Sequence, residues 1–231
     1  FSEMNAHLPL LHQHVRILFQ VDSKVNLYEA YAEFWAQIIN ASVYSFLSTS
    51  AKSVQGFVAQ VTKLLQAEQR FGLYQMSKIL RYMNLEYTDL FDKTKNKHKF
   101  QEESNILSYY IIKSVFMQFY PELLDWCAHH NQPIYKFTNT PETLDSFYSF
   151  LESKYQDSML LANILFLSNV KCLKRERKKK TCKKTCKKKQ KTLKLKQKTL
   201  KQREMKQLEL KQTTDFLENN LYMSLIEMDF L

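Results

Sequence analysis

NLYEAYAEFWAQIINASVYSF, residues 26 to 46, is almost wholly aromatic, aliphatic or alanine. Through it runs one polar line, Glu29, Glu33, Gln37 and Asn40, at spacings of four, four and three. With 3.6 residues to a turn, that spacing puts all four on one face of an α-helix. Tyr28, Tyr31, Phe34, Trp35, Ile38 and Ile39 take most of the remaining circumference, and the small Ala32 and Ala36 flank the polar line. A polar stripe is ordinarily the solvated side of an amphipathic helix, whereas a helix apolar on nearly every side belongs in an interior. If interior, two carboxylates need a partner, a proton or a cation, because an unpaired buried charge costs several kcal/mol. Asn26 suits the N-cap and Glu29 in the first turn complements the helix dipole. The pattern predicts a helix from Leu27 to about Thr49.

Helical spacing recurs along the chain, and the expected fold class is all-α. A second helix is expected from Ala51 to about Arg70, with Val54, Phe57, Val58, Val61, Leu64 and Leu65 turned inward. Gly72 should interrupt it before a third, Leu73 to about Met83. Further helices are expected at about 102–120, ending at Pro121, then at about 121–130, 141–156 and 157–172. Thr140 and Pro141 read as the N-cap and first position of the helix near 141. Residues 1–25 read as irregular and then partly extended, because Pro9 falls within HLPLLHQHVRILFQV. DKTKNKHKF, 92–100, reads as a surface loop. With only Gly56 and Gly72 and four prolines, multi-hairpin sheets and glycine-rich phosphate loops have little to build on.

Charge divides the molecule. The net +11 arises in one place: residues 171–212 hold 20 Lys/Arg against three Glu, a local net of +17, while the other 14 Lys/Arg and 20 Asp/Glu give −6. The expected organisation is a helical body over 1–172, a Lys-rich tail over 173–212 that forms a long basic helix or is disordered, and a short acidic amphipathic segment over 213–231. The tail repeats itself, KQKTLKL being followed by KQKTLKQ, which sets Leu193 and Leu200 seven apart.

The opening stretch resembles the third-ligand helix of the gluzincin zinc metallopeptidases, commonly written NExxxE or NExxxD. The wider string YEAYAEFWAQIIN also resembles proteins of large DNA viruses with this arrangement, and a Lys- and Asn-rich, Gly-poor composition suits an AT-rich genome. The resemblance implies zinc as cofactor, a peptide or protein substrate, Glu29 as a zinc ligand, and Glu33 as the carboxylate that holds a ligand histidine by its other ring nitrogen. EESNILSYYIIKSVF, 102–116, resembles part of the same pattern, with Tyr109 and Tyr110 as core tyrosines or one of them as an oxyanion stabiliser; Asn40, on the polar line, and Tyr109 are the candidate pocket residues. The family's HExxH is absent from this sequence. Because the chain opens on Phe1 rather than Met, the expectation is that the histidine helix precedes it and that this portion is inactive alone.

The alternative is a non-enzymatic helical protein that binds nucleic acid or another polyanion through Lys174, Arg175, Arg177, Lys178, Lys179, Lys180, Lys183, Lys184, Lys187, Lys188 and Lys189. The tail has no aromatic residue to stack on bases, so sequence-specific reading is not expected. Cys127, His129 and His130 in DWCAHHN are metal-ligand types, but neighbouring histidines on a helix diverge, and a helix end with a half-buried cysteine is the simpler reading. His12 and His14, two apart, have strand spacing. Cys182 and Cys186 sit among lysines that lower thiol pKa values, or are products of a repeated lysine-rich unit. Four cysteines without framework spacing suggest a reducing, intracellular setting, nucleus or virion included. The longest apolar run, Met159 to Val170, is too short for the roughly 20 residues of a membrane span.

Overall fold

The computed structural model describes residues 7–48, 53–92, 94, 100 and 104–167. Every regular element among them is helical, in line with the all-α expectation. In chain order they are α1 (His7–Leu18), α2 (Leu27–Ser48), α3 (Val54–Tyr82), a 3₁₀ turn (Tyr87–Phe91), a π-helical turn (Leu107–Ile112) that runs into α4 (Lys113–Gln118), α5 (Tyr120–His130), α6 (Pro141–Lys154) and a last helix, α7, over 158–167. None of these helices is long and apolar enough to cross a membrane.

Three expectations are corrected. Val54 and Val58, expected to face inward, are exposed, because the buried face of α3 begins only at Leu64. The segment expected to be irregular or extended is α1, because Pro9 lies in its first turn, where backbone N–H groups have no intrahelical acceptor to lose. His12 and His14 are therefore helical. Gly72 does not divide a helix either: α3 runs through it for 29 residues. A Cβ at Gly72 would lie 3.1 Å from Ser114 Oγ, so the glycine marks the place where α3 and α4 cross closely.

Helix ends follow local chemistry. Ser53 caps α3 by accepting from the Gly56 N–H at 3.1 Å, and Thr140 caps α6 by accepting from the Thr143 N–H at 3.3 Å, with Pro141 at the first position as expected. In a glycine-poor chain, the left-handed residues that end α1 and α3 are Gln20, at φ 48°, and Asn84, at φ 56°. Behind them Val21 N–H returns to Arg16 O at 3.1 Å and Leu85 N–H to Leu80 O at 2.8 Å.

The core is built around the π-turn and α4. Leu107, Ile111, Ile112, Val115, Phe116 and Met117 are all buried, and this segment packs against α2, α3, α5 and α6. Burying an aliphatic or aromatic side chain of this size contributes roughly 1.5–3 kcal/mol each. A ring cluster of Tyr31, Trp126, Phe137 and Phe147 closes the space between α2, α5 and α6, with centroids 5.1–6.0 Å apart.

Candidate functional site

Four donor–acceptor contacts converge on the start of α2. Asn26 caps it, its Oδ1 accepting from the Glu29 N–H at 3.4 Å. The Asn26 N–H donates to Ser108 Oγ at 2.9 Å, and the Tyr109 hydroxyl donates to Glu29 Oε2 at 2.7 Å. From the other side His12, half-buried on α1, accepts the Leu27 N–H on Nε2 at 3.5 Å. The first amides of a helix have no intrahelical acceptors, and here α1 and the π-turn both serve them.

The π-turn explains how two adjacent residues reach one helix end. Its wider turn changes the angular step between successive side chains, and such turns are frequent at functional sites. Ser108 is buried against Asn26 while Tyr109, half-buried, reaches Glu29. The phenol is pushed up to about 12, first by its hydrogen bond to the Glu29 carboxylate, then by burial, then by the charges of Glu29 and Glu33. Glu33, one turn below Glu29, is also half-buried. Glu29, Glu33 and Tyr109 thus share one electrostatic environment.

The polar line changes character along its length. Gln37 is buried and donates to Glu68 Oε2 at 3.3 Å. Glu68 on α3 is 1% exposed, and Lys113 on α4 is 2% exposed. Asn40 is exposed, and eleven residues from Glu29 correspond to about 16 Å of helix, so it does not join the Glu29–Tyr109 pair. Sequence reading missed Ser108, His12 and Glu68 as parts of this arrangement. Lys113, lying between Ile112 and Ser114 in an apolar helix, was the legible hint of a polar interior.

The DWCAHHN group is a helix end. His129 Nδ1 donates to Asp125 O and His130 Nδ1 to Trp126 O, each at 2.8 Å, while the His130 ring stacks on Trp126 at 4.5 Å. Cys127 is fully buried 3.5 Å from the Tyr31 hydroxyl, and burial pushes its thiol up. The tail residues Lys174, Arg175, Arg177, Lys178, Lys179, Lys180, Lys183, Lys184, Lys187, Lys188 and Lys189 lie outside the described residues, as do Cys182 and Cys186.

Among the described residues no group of three or more His, Cys, Asp or Glu is arranged to hold a metal ion. Glu29 and Glu33 supply carboxylate oxygens alone, and a zinc site of the His₂Glu kind needs two imidazoles besides. Glu29 and Glu33 therefore do not hold zinc by themselves. No family model, no curated protein and no solved structure matches the chain.

Proposed function

We propose that the helical body carries the glutamate wall of a zinc-peptidase-type site, with the two imidazoles brought by a histidine-bearing (HExxH) helix that this sequence does not contain. Glu29 is the ligand, Glu33 holds one imidazole through its second nitrogen, and Tyr109 orients the Glu29 carboxylate. The observation that supports this reading is the joining of two segments about 80 residues apart, YEAYAE and SNILSYY, by the Tyr109–Glu29 hydrogen bond at 2.7 Å. Without the imidazoles the chain is not expected to hydrolyse peptides. The test is zinc-dependent capture of a helical peptide bearing two histidines four residues apart. The full chain should retain the peptide only with zinc, and Glu29→Gln should release it. Equal retention by both proteins would end the proposal.

A second reading rests on the local net of +17 over residues 171–212. The tail binds nucleic acid or another polyanion by counterion release, without sequence preference. The measurement is DNA affinity as a function of salt concentration.

A further inference from the structure

The side of α2 turned away from the bundle carries an apolar line along most of the helix. Ala32, Ala36, Ile39, Val43 and Phe46 are all exposed and follow one another at spacings of four, three, four and three. Alternating fours and threes average 3.5 residues, the period at which two helices keep the same face against each other. Ile39 is 51% exposed and Val43 50%, while Phe46 and its neighbour Leu47 are each 77% exposed. The line is graded in size, with alanine in its first half, isoleucine at its centre, and valine and phenylalanine beyond. Large apolar side chains grouped on one face mark a surface that something covers.

We propose that this face pairs α2 with α2 of a second copy of the chain, antiparallel, about a two-fold axis at Ile39. In that register Ile39 meets the same residue of the other copy. Phe46 of each copy meets Ala32 of the other, and Val43 meets Ala36, since both pairs lie at nearly equal distances either side of Ile39. The large side chains then fill the space that the alanines leave, as close packing requires. A parallel pairing would set Phe46 on Phe46 and Ala32 on Ala32, crowding one end and leaving the other hollow. No charged residue lies in the line, so the pairing buries no charge, and Asn40 beside Ile39 falls at the edge, where interfaces are polar. The exposed parts of these side chains and Leu47 come to roughly 500–600 Å² per copy, so a pair removes about 1,100 Å² from water, just above the ~1,000 Å² that a specific interface needs. A dimer of this area is weak and reversible.

The pairing does not rest on the Glu29 reading and is measured without metal, so either can fail alone. Sedimentation of the full chain at about 0.5 M salt, which screens the basic tails from one another, should show a concentration-dependent equilibrium of monomer and dimer. Ile39→Asp alters a half-exposed position and should weaken that dimer about tenfold or more, because two carboxylates then face each other at the axis. Ile39→Lys should do the same alone, and the two variants mixed should pair with each other more tightly than either pairs with itself. Direction is read by p-benzoylphenylalanine at Phe46 in a mixture of isotopically labelled and unlabelled chains. Its expected product is a link to residues 29–36 of the other copy. A chain still monomeric at about 1 mM, or a dimer indifferent to Ile39→Asp, would overturn the proposal. So would variants that gain nothing on mixing, a link to position 46 of the other copy, or links confined to one chain.

Discussion

Glu29→Gln should bring the Tyr109 phenol down from about 12 towards its ordinary 10.0, because the largest cause of the shift is the bond to the carboxylate. Tyrosinate absorbance, with Tyr109→Phe as the blank, reads this directly; a titration unmoved by Glu29→Gln would mean the pair does not exist in solution. A phenol raised in the folded state binds its proton more tightly there than in the unfolded chain. Its contribution is therefore complete below pH 10 and is lost as pH rises through 10 to 12. Tyr109→Phe should cost about 1 kcal/mol or less, since the pair is partly solvated. His12 carries the opposite sign. Burial, and then Arg16, holds it below 6.5, so the unfolded chain takes up a proton that the folded one refuses. The melting temperature should fall as pH drops through about 6.5, where a protonated Nε2 can no longer accept the Leu27 N–H. His12→Gln should remove that component of the pH profile.

Elements were legible where periodicity was long and caps were conventional. α2, α5 and α6 lie close to their expected positions, since Asn26, Pro121 and Thr140–Pro141 announce their starts. α1 and α3 were misread because Pro9 and Gly72 have two meanings each. Proline ends a helix or opens one, and glycine breaks a helix or lets another approach; only the neighbour decides. Gly72 makes this measurable. Alanine at a helix interior position is worth about 1 kcal/mol over glycine, but here its Cβ would press on Ser114 Oγ at 3.1 Å, and that oxygen is anchored on Tyr110 O at 2.6 Å. In a Ser114→Ala background the nearest remaining atom is 3.8 Å away, an ordinary contact. Gly72→Ala should therefore stabilise by about 0.5–1 kcal/mol with Ser114→Ala and be neutral or destabilising without it. Chemical denaturation of the double-mutant cycle decides the point, and equal effects in both backgrounds would contradict the close crossing. The left-handed end of α1 offers a simpler case. Gln20, at φ 48°, pays a steric penalty that glycine does not, so Gln20→Gly should raise stability by about 0.5–1 kcal/mol in the same assay.

At the scale of the whole molecule, a single sequence shows which residues share a helix face but not which faces meet. Glu29 and Glu33 were legible for that reason, while Ser108 at Asn26 and Glu68 at Gln37 were not, being through-space neighbours 82 and 31 residues apart. Asn40 followed the helical period correctly and still sits on the outside, because the bundle covers only part of α2. The division of charge, by contrast, is a property of the sequence alone. If the tail makes six to ten phosphate contacts, DNA affinity should fall by about 10³–10⁵ between about 50 and 200 mM salt, and a flat dependence would remove the polyanion reading. Glu29 is proposed above as a metal ligand. X-ray absorption at the zinc edge tests it most directly, on the full chain with one equivalent of zinc and the two-histidine peptide. If Glu29 binds zinc, the metal has light nitrogen and oxygen neighbours at about 2.0–2.2 Å whose distances or number change in Glu29→Gln. A sulfur shell, or a spectrum unchanged by that substitution, would contradict it.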